Sequence, residues 1–242
     1  MQGSSSVKKT FYINLDTATE RRNKFLHTDY ERWRATTKDE VPSYIETRML
    51  SMYNFGKEAH LARCACWLSH TKLLEFIVNE KLNDVLILED DAIQVNDIPK
   101  RYPKDSITYI GGFVYNKKMM DSKKVSLNHQ VGINLCPEEY RILGCLAYIV
   151  PTWKIASNIL NRIYSENRYK AIDIMLGNIG LKQYYHYPAS FREEGCESQI
   201  SQKNKNNKIM TEDYEFISMN KYKRCQHIME KEQISEVVRK DN

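Results

Sequence analysis

Three consecutive acids, Glu89-Asp90-Asp91, follow directly on four aliphatic residues, Val85-Leu86-Ile87-Leu88. An unbroken aliphatic run of this length suits a strand buried on both faces. Acids placed straight after it sit at the strand's carboxyl end, the edge where ligands bind in open α/β sheets. In an extended segment Glu89 and Asp91 project to one side and Asp90 to the other. Two carboxylates on one face suit a hard divalent cation such as Mn²⁺ or Mg²⁺. Such an ion takes one or two protein carboxylates and completes its shell with water and phosphate oxygens. Like charges this close push one another's pKa upward, and a cation relieves that strain. The competing reading is a solvated acidic turn after a strand.

The elements that must position this triplet read as α/β. Residues 10–15 (TFYINL) are a short β-prone run. Thr17 and Glu20 have the spacing of a capping box, so a helix carrying Arg21, Arg22 and Phe25 is expected directly after it. Residues 58–82 lack Gly and Pro and repeat apolar residues at helical spacing, which predicts the helix before the buried strand. Further strands are expected at 107–110, leaving sharply through Gly111-Gly112, at 143–150, and at 182–187, closed by Pro188. Pro151 is expected at the start of a helix over 154–164. A polar loop is expected at 201–208 and a last amphipathic helix at 226–240. The economical organisation is a disordered segment over 1–8, one α/β domain over 9–200, and a tail over 201–242 packed on that domain.

Composition narrows the class. A chain of 242 residues that is 42% hydrophobic, with only 9 Gly and 6 Pro, is too apolar for a disordered or collagen-like polymer. Its length is that of one domain or two at most. Six cysteines without a C-x-x-C pair or finger spacing to His read as reduced thiols in a cytosol-like compartment. No stretch approaches 18 apolar residues and the MQGSSSVKK start has no apolar run behind it, so neither a span nor a signal peptide is expected. The net charge of +5 is matched by residues 100–124 alone, with seven basic residues against two acidic ones. That stretch is either a solvated loop face or a surface for an acidic substrate or nucleic acid.

With these residues in view the sequence resembles glycosyltransferase family 25, the lipopolysaccharide and collagen galactosyltransferase group. The matching pieces are Phe11-Tyr12-Ile13-Asn14-Leu15-Asp16 followed by Arg21-Arg22, Cys66-Trp67-Leu68-Ser69-His70, and Val85 to Ala92. Tyr109-Ile110-Gly111-Gly112, Gly144-Cys145-Leu146-Ala147-Tyr148, Ile172-Asp173 and Ser198-Gln199-Ile200 follow in the same order. The chain departs from the family pattern at Thr17, at residues 62–65 and at Gln199, which leaves the donor open.

The resemblance implies a GT-A-type, Rossmann-like fold with a mostly parallel sheet. It also implies a metal-assisted, inverting transfer of a hexose, galactose or glucose, from a nucleotide-sugar that is often UDP-linked. On this reading Asp91 is the first metal ligand and Glu89 the second, with Mn²⁺ or Mg²⁺ stabilising the charge that develops on the departing phosphates. Asn14, Leu15, Arg21, Arg22, Glu89, Asp90, Gly111 and Gly112 are expected to bind the donor, and Asp173 to take the acceptor's proton. Asp173 has an alternative reading as a helix N-cap, His70 as a hydrogen-bonded structural group, and His186 as either a metal ligand or strand surface. The acceptor is a glycan, lipopolysaccharide, protein or hydroxylated DNA base. A bacterial or viral enzyme of the cytoplasm is the expected setting. The rival class is a catalytically silent nucleic-acid or glycan-binding module, and the lack of a G-x-x-x-x-G-K-[ST] loop argues against a phosphate-transferring enzyme.

Overall fold

The opening apolar run does form a strand, β1 (Lys9–Asn14), and its last five residues are buried. A computed structural model describes residues 6–50, 56–116, 129–178 and 180–194. After β1 come α1 (Thr19–Asn23), β2 (Glu31–Arg34), a 3-10 turn (Lys38–Glu40), α2 (Ser43–Arg48), the 24-residue α3 (Gly56–Asn79) and β3 (Asn83–Glu89). Then follow β4 (Ala92–Gln94), β5 (Thr108–Asn116), β6 (Gly132–Leu135), β7 (Tyr140–Thr152), α4 (Trp153–Ser165), α5 (Ile172–Asn178), β8 (Tyr184–Tyr187) and β9 (Phe191–Glu193).

Seven strands form one sheet in the order β2-β1-β3-β7-β5-β8-β6, and β4 pairs with β9 separately. The expected α/β class is borne out, and the sheet is mixed. Strand β1 runs parallel to β2 and β3, and β5 parallel to β8, whereas β7 is antiparallel to β3 and β5, and β6 to β8. Parallel neighbours need a long crossover, usually a helix. Helices lie between β1 and β2 and between β2 and β3; none lies between β5 and β7 among the described residues, and β7 returns antiparallel.

Strand β3 is buried on both faces, as its composition demands. Val85 and Ile87 join the cluster formed with Trp67, Leu74, Ile77 and Ile163 on the helical side. Leu86 and Leu88 join Tyr12, Ile110, Ile149 and Phe191 on the other. All four aliphatics are fully buried, each contributing about 1.5–3 kcal/mol by removal from water. This anchors the base of the acid triplet in rigid core.

Several local expectations are corrected. Helix α1 starts at Thr19 with Ala18 as its N-cap and no side-chain cap, so Thr17 and Glu20 form no capping box. The chain turns first, with the Ala18 N–H donating to the Leu15 carbonyl. A capping box forms instead around the 3-10 turn, between Thr37 and Glu40. Gly111 and Gly112 do not end their strand; β5 continues through them with register shifts on either side of Gly111. Pro151 lies inside β7 rather than in α4, whose N-cap is Thr152, accepting from the Ile155 N–H at 3.3 Å. The expected loop at 201–208, the helix at 226–240, Cys196 and Cys225 lie outside the described residues. No helix among the described residues is long and apolar enough to cross a membrane.

Candidate functional site

Strand β3 ends on Glu89, and residues 90 and 91 form a turn into β4. The extended geometry expected of the triplet therefore stops at Glu89, and the three acids have three different surroundings. Asp90 is buried and points back to β1 and α1. Its Oδ2 accepts from Asn14 Nδ2 at 2.8 Å, and its Oδ1 accepts from Arg21 Nη1 at 2.7 Å. This carboxylate is paired and hydrogen-bonded within the protein, which is what a buried charge requires.

Asp91 is different. Its Oδ1 is buried and has no hydrogen-bond partner. Burial, then the charge of Glu89 and that of Glu193 from β9, push its carboxyl up to about 7, against a smaller opposing effect of Arg21. Strand β9 is brought there by pairing with β4, which sets Ala92 opposite Glu193, and the Asp91 carbonyl accepts from the Glu194 N–H at 2.9 Å. A buried carboxylate oxygen without a donor, beside two further carboxylates, is the kind of group a divalent cation satisfies.

Of the residues expected to bind the donor, Arg21, Arg22 and Asp90 join a polar lattice around Asn14, which is almost completely buried. Asn14 Nδ2 also donates to the Ala18 carbonyl at 3.1 Å, and its Oδ1 accepts from Arg32 Nε at 3.1 Å and Arg22 Nε at 3.4 Å. Arg22 Nη2 donates to the Asp16 carbonyl at 2.9 Å. The Asp16 carboxylate pairs with Arg32 and Arg34, whose hydrogen bonds hold it below the usual carboxylate range. Leu15 packs against the helical-side core. Arg21 and Arg22 thus organise the turn and Asp90.

Gly111 and Gly112 are placed by strand packing. A Cβ on Gly111 would lie 3.1 Å from Ala147 Cβ and 3.2 Å from the Phe191 carbonyl oxygen. Gly112 has φ +120°, and a Cβ there would lie 2.7 Å from the carbonyl oxygens of Leu143 and Gly144. The backbone they approach is that of β7 and β9.

Asp173 lies in the first turn of α5, not at its N-cap, since the Ala171 carbonyl already accepts from the Met175 N–H. Its carboxylate accepts from the Ile174 N–H at 2.8 Å and from the Gly144 N–H of β7 at 3.3 Å. Burial raises its pKa, these two hydrogen bonds oppose the rise, and Glu89 adds to it. Glu89, Asp173 and Asp91 all act on the Cys66 thiol, which burial first and these charges next push well above its ordinary value. The triplet and Asp173 therefore border one region, beside α3.

His70 is buried on α3, and its Nδ1 lies 2.9 Å from the Tyr148 hydroxyl, in keeping with the structural reading. Its Nε2 lies 3.6 Å from Glu89 Oε1. His186 contacts Ser190 Oγ through Nδ1 at 3.2 Å, and burial lowers its pKa. In the basic stretch Lys104 is held by Asp84, Lys100 and Arg101 are exposed, and residues 117–124 lie outside the described residues, as do 198–200. Sequence reasoning missed Arg32 and Glu193, whose places come from sheet pairing and which no local motif marks; Tyr148 was quoted within a family motif but given no role.

No curated protein matches the chain. Residues 7–105, from the opening strand through the acid triplet, match the family model of glycosyltransferase family 25 (LPS biosynthesis protein), the family whose motifs the sequence resembles.

Proposed function

We propose that this chain is a glycosyltransferase that moves a hexose from a nucleotide-sugar, UDP-linked in the simplest case, to an acceptor hydroxyl. The observation that carries the reading is the Asp91 carboxylate, buried with an unpartnered Oδ1 beside Glu89, within a segment matching glycosyltransferase family 25. The oxygen-only pair of Asp91 and Glu89 fits Mn²⁺ or Mg²⁺. When bound there, the ion supplies positive charge against the negative charge developing on the departing diphosphate.

The chain's own groups do the rest. Arg21 neutralises Asp90 and Asn14 donates a hydrogen bond to it, which keeps the triplet's turn in place. Asp173 is held by two backbone N–H groups and its pKa is raised by burial, which suits a general base near neutral pH. The acceptor oxygen forms its bond to the anomeric carbon as the bond to the diphosphate oxygen breaks. That electron pair leaves on the diphosphate, and the hydroxyl proton passes to Asp173. Attack from the face opposite the leaving group inverts the anomeric centre.

A thermal-shift panel of nucleotide-sugars with and without Mn²⁺ tests the reading. A donor at 100 times its Kd adds about 2.7 kcal/mol, or roughly 5–10 °C for a chain of this size. The expected result is a metal-dependent shift for one donor that Asp91→Ala abolishes. No shift with any donor refutes it. Product analysis with glycan, lipopolysaccharide, protein and hydroxymethylated DNA then assigns the acceptor.

A further inference from the structure

Cys66 and His70 are four residues apart on α3, so they share one face of the helix, and that face meets the end of β3. There Cys66 Sγ, a His70 ring nitrogen and a Glu89 carboxylate oxygen lie within 4.8 Å of one another. We propose that these three side chains form a binding site for a zinc-type divalent cation, with a fourth coordination position for water or a ligand.

The geometry suits such an ion. With metal–ligand distances of about 2.0–2.3 Å, the edges of a tetrahedron run about 3.3–3.6 Å. His70 Nε2 and Glu89 Oε1 already stand 3.6 Å apart, a spacing too long for a hydrogen bond. The second layer is in place as well. With Nδ1–H donating to the Tyr148 oxygen at 2.9 Å, Nε2 turns its lone pair towards Glu89. This is the outer partner that ligating histidines ordinarily have. The Tyr148 ring lies alongside the imidazole, with centroids 5.9 Å apart and planes 23° from parallel, and both residues are buried. A sulfur, nitrogen and oxygen donor set selects zinc over Mn²⁺ or Mg²⁺, which favour oxygen alone. Binding releases the thiol proton and forms the sulfur–metal bond in one exchange. The site shares Glu89 with the donor reading but not Asp91, so a variant at Asp91 tells the two apart.

Cobalt(II) titration of the full chain, reduced and chelator-treated, tests this. The expected result is one equivalent of Co²⁺ giving tetrahedral ligand-field bands and a thiolate-to-cobalt charge-transfer band, both displaced by Zn²⁺. Cys66→Ser removes the charge-transfer band, and Asp91→Asn keeps it. Tyr148→Phe, which leaves all three ligands in place, weakens binding about 10–100-fold. Absence of a charge-transfer band in the wild-type chain, or its persistence in a folded Cys66→Ser variant, overturns the proposal. Should Cys66→Ser fail to fold, Glu89→Gln decides: a lower affinity supports the site, and an unchanged one overturns it.

Discussion

Arg21 donates to Asp90 across 2.7 Å, and this contact divides the acid triplet into one internally satisfied carboxylate and two that face other acids. Both side chains of the pair are largely buried, at 15% and 11% exposed. Removing one partner of such a pair strands the other charge, which typically costs about 3–5 kcal/mol. Arg21→Ala is therefore expected to lower the melting temperature by roughly 6–20 °C. It is also expected to raise the apparent pKa of Asp91, on which Arg21 acts in the opposite sense. A melting curve near neutral pH checks the first effect. A stability loss no larger than that of an exposed arginine would show that the pair contributes little.

Asp91 makes stability depend on pH. Its folded pKa is about 7, above its ordinary value of 3.8. The native state therefore holds this proton more tightly than the unfolded chain does. The contribution is fully present below about pH 4 and is lost as pH rises through about 7. Asp91→Asn removes this dependence, so the variant should be the more stable one above pH 7, by roughly 2–4 kcal/mol. The gap should close as pH falls towards 4. Melting temperatures of both proteins across pH 4–8 without divalent ions give the comparison. Added Mn²⁺ should raise the wild-type curve above pH 7 and leave Asp91→Asn unmoved.

Asp173→Asn separates a base from a structural group. The amide oxygen of Asn can still accept from the Gly144 and Ile174 N–H groups that now hold the carboxylate. Folding should therefore survive. As a general base, Asp173 is expected to contribute about 10²–10⁴-fold to turnover. The variant should lose kcat by that factor while the donor's KM stays within a few-fold. An unchanged kcat would move the proton acceptor elsewhere.

Gly112→Ala tests why the paired glycines are there. The new Cβ would meet the Leu143 and Gly144 carbonyl oxygens at 2.7 Å, from a φ that L side chains rarely adopt. Backbone strain and overpacking together should cost about 2–4 kcal/mol. At Gly111 the nearest atoms are 3.1–3.3 Å away and φ is ordinary, so Gly111→Ala should cost less. Urea midpoints rank the two. A Gly112→Ala chain as stable as wild type would mean that β5 and β7 part readily, and would leave the glycine to ligand contact.

The amino-acid sequence by itself determined the elements whose signals are local. The unbroken run from Val85 to Leu88 had to be a doubly buried strand, and the Gly- and Pro-free stretch before it had to be a helix. Acids directly after Leu88 had to lie at that strand's end. The triplet's place and the family resemblance were legible for this reason.

Tertiary structure alone decided what each acid meets. Whether Asp90 is paired depends on β1 lying beside β3, and Glu193 reaches Asp91 only because β9 pairs with β4. The direction of β7 depends on how the chain returns from β5. Asp173, more than 80 residues beyond Asp91, borders the same region because α5 packs on β7, and the Cys66–His70 face meets Glu89 because α3 covers β3. Hydrophobic pattern specifies which face of an element is buried; it does not specify which neighbour covers that face, and in this fold the neighbour decides what Asp90, Asp91 and Asp173 meet.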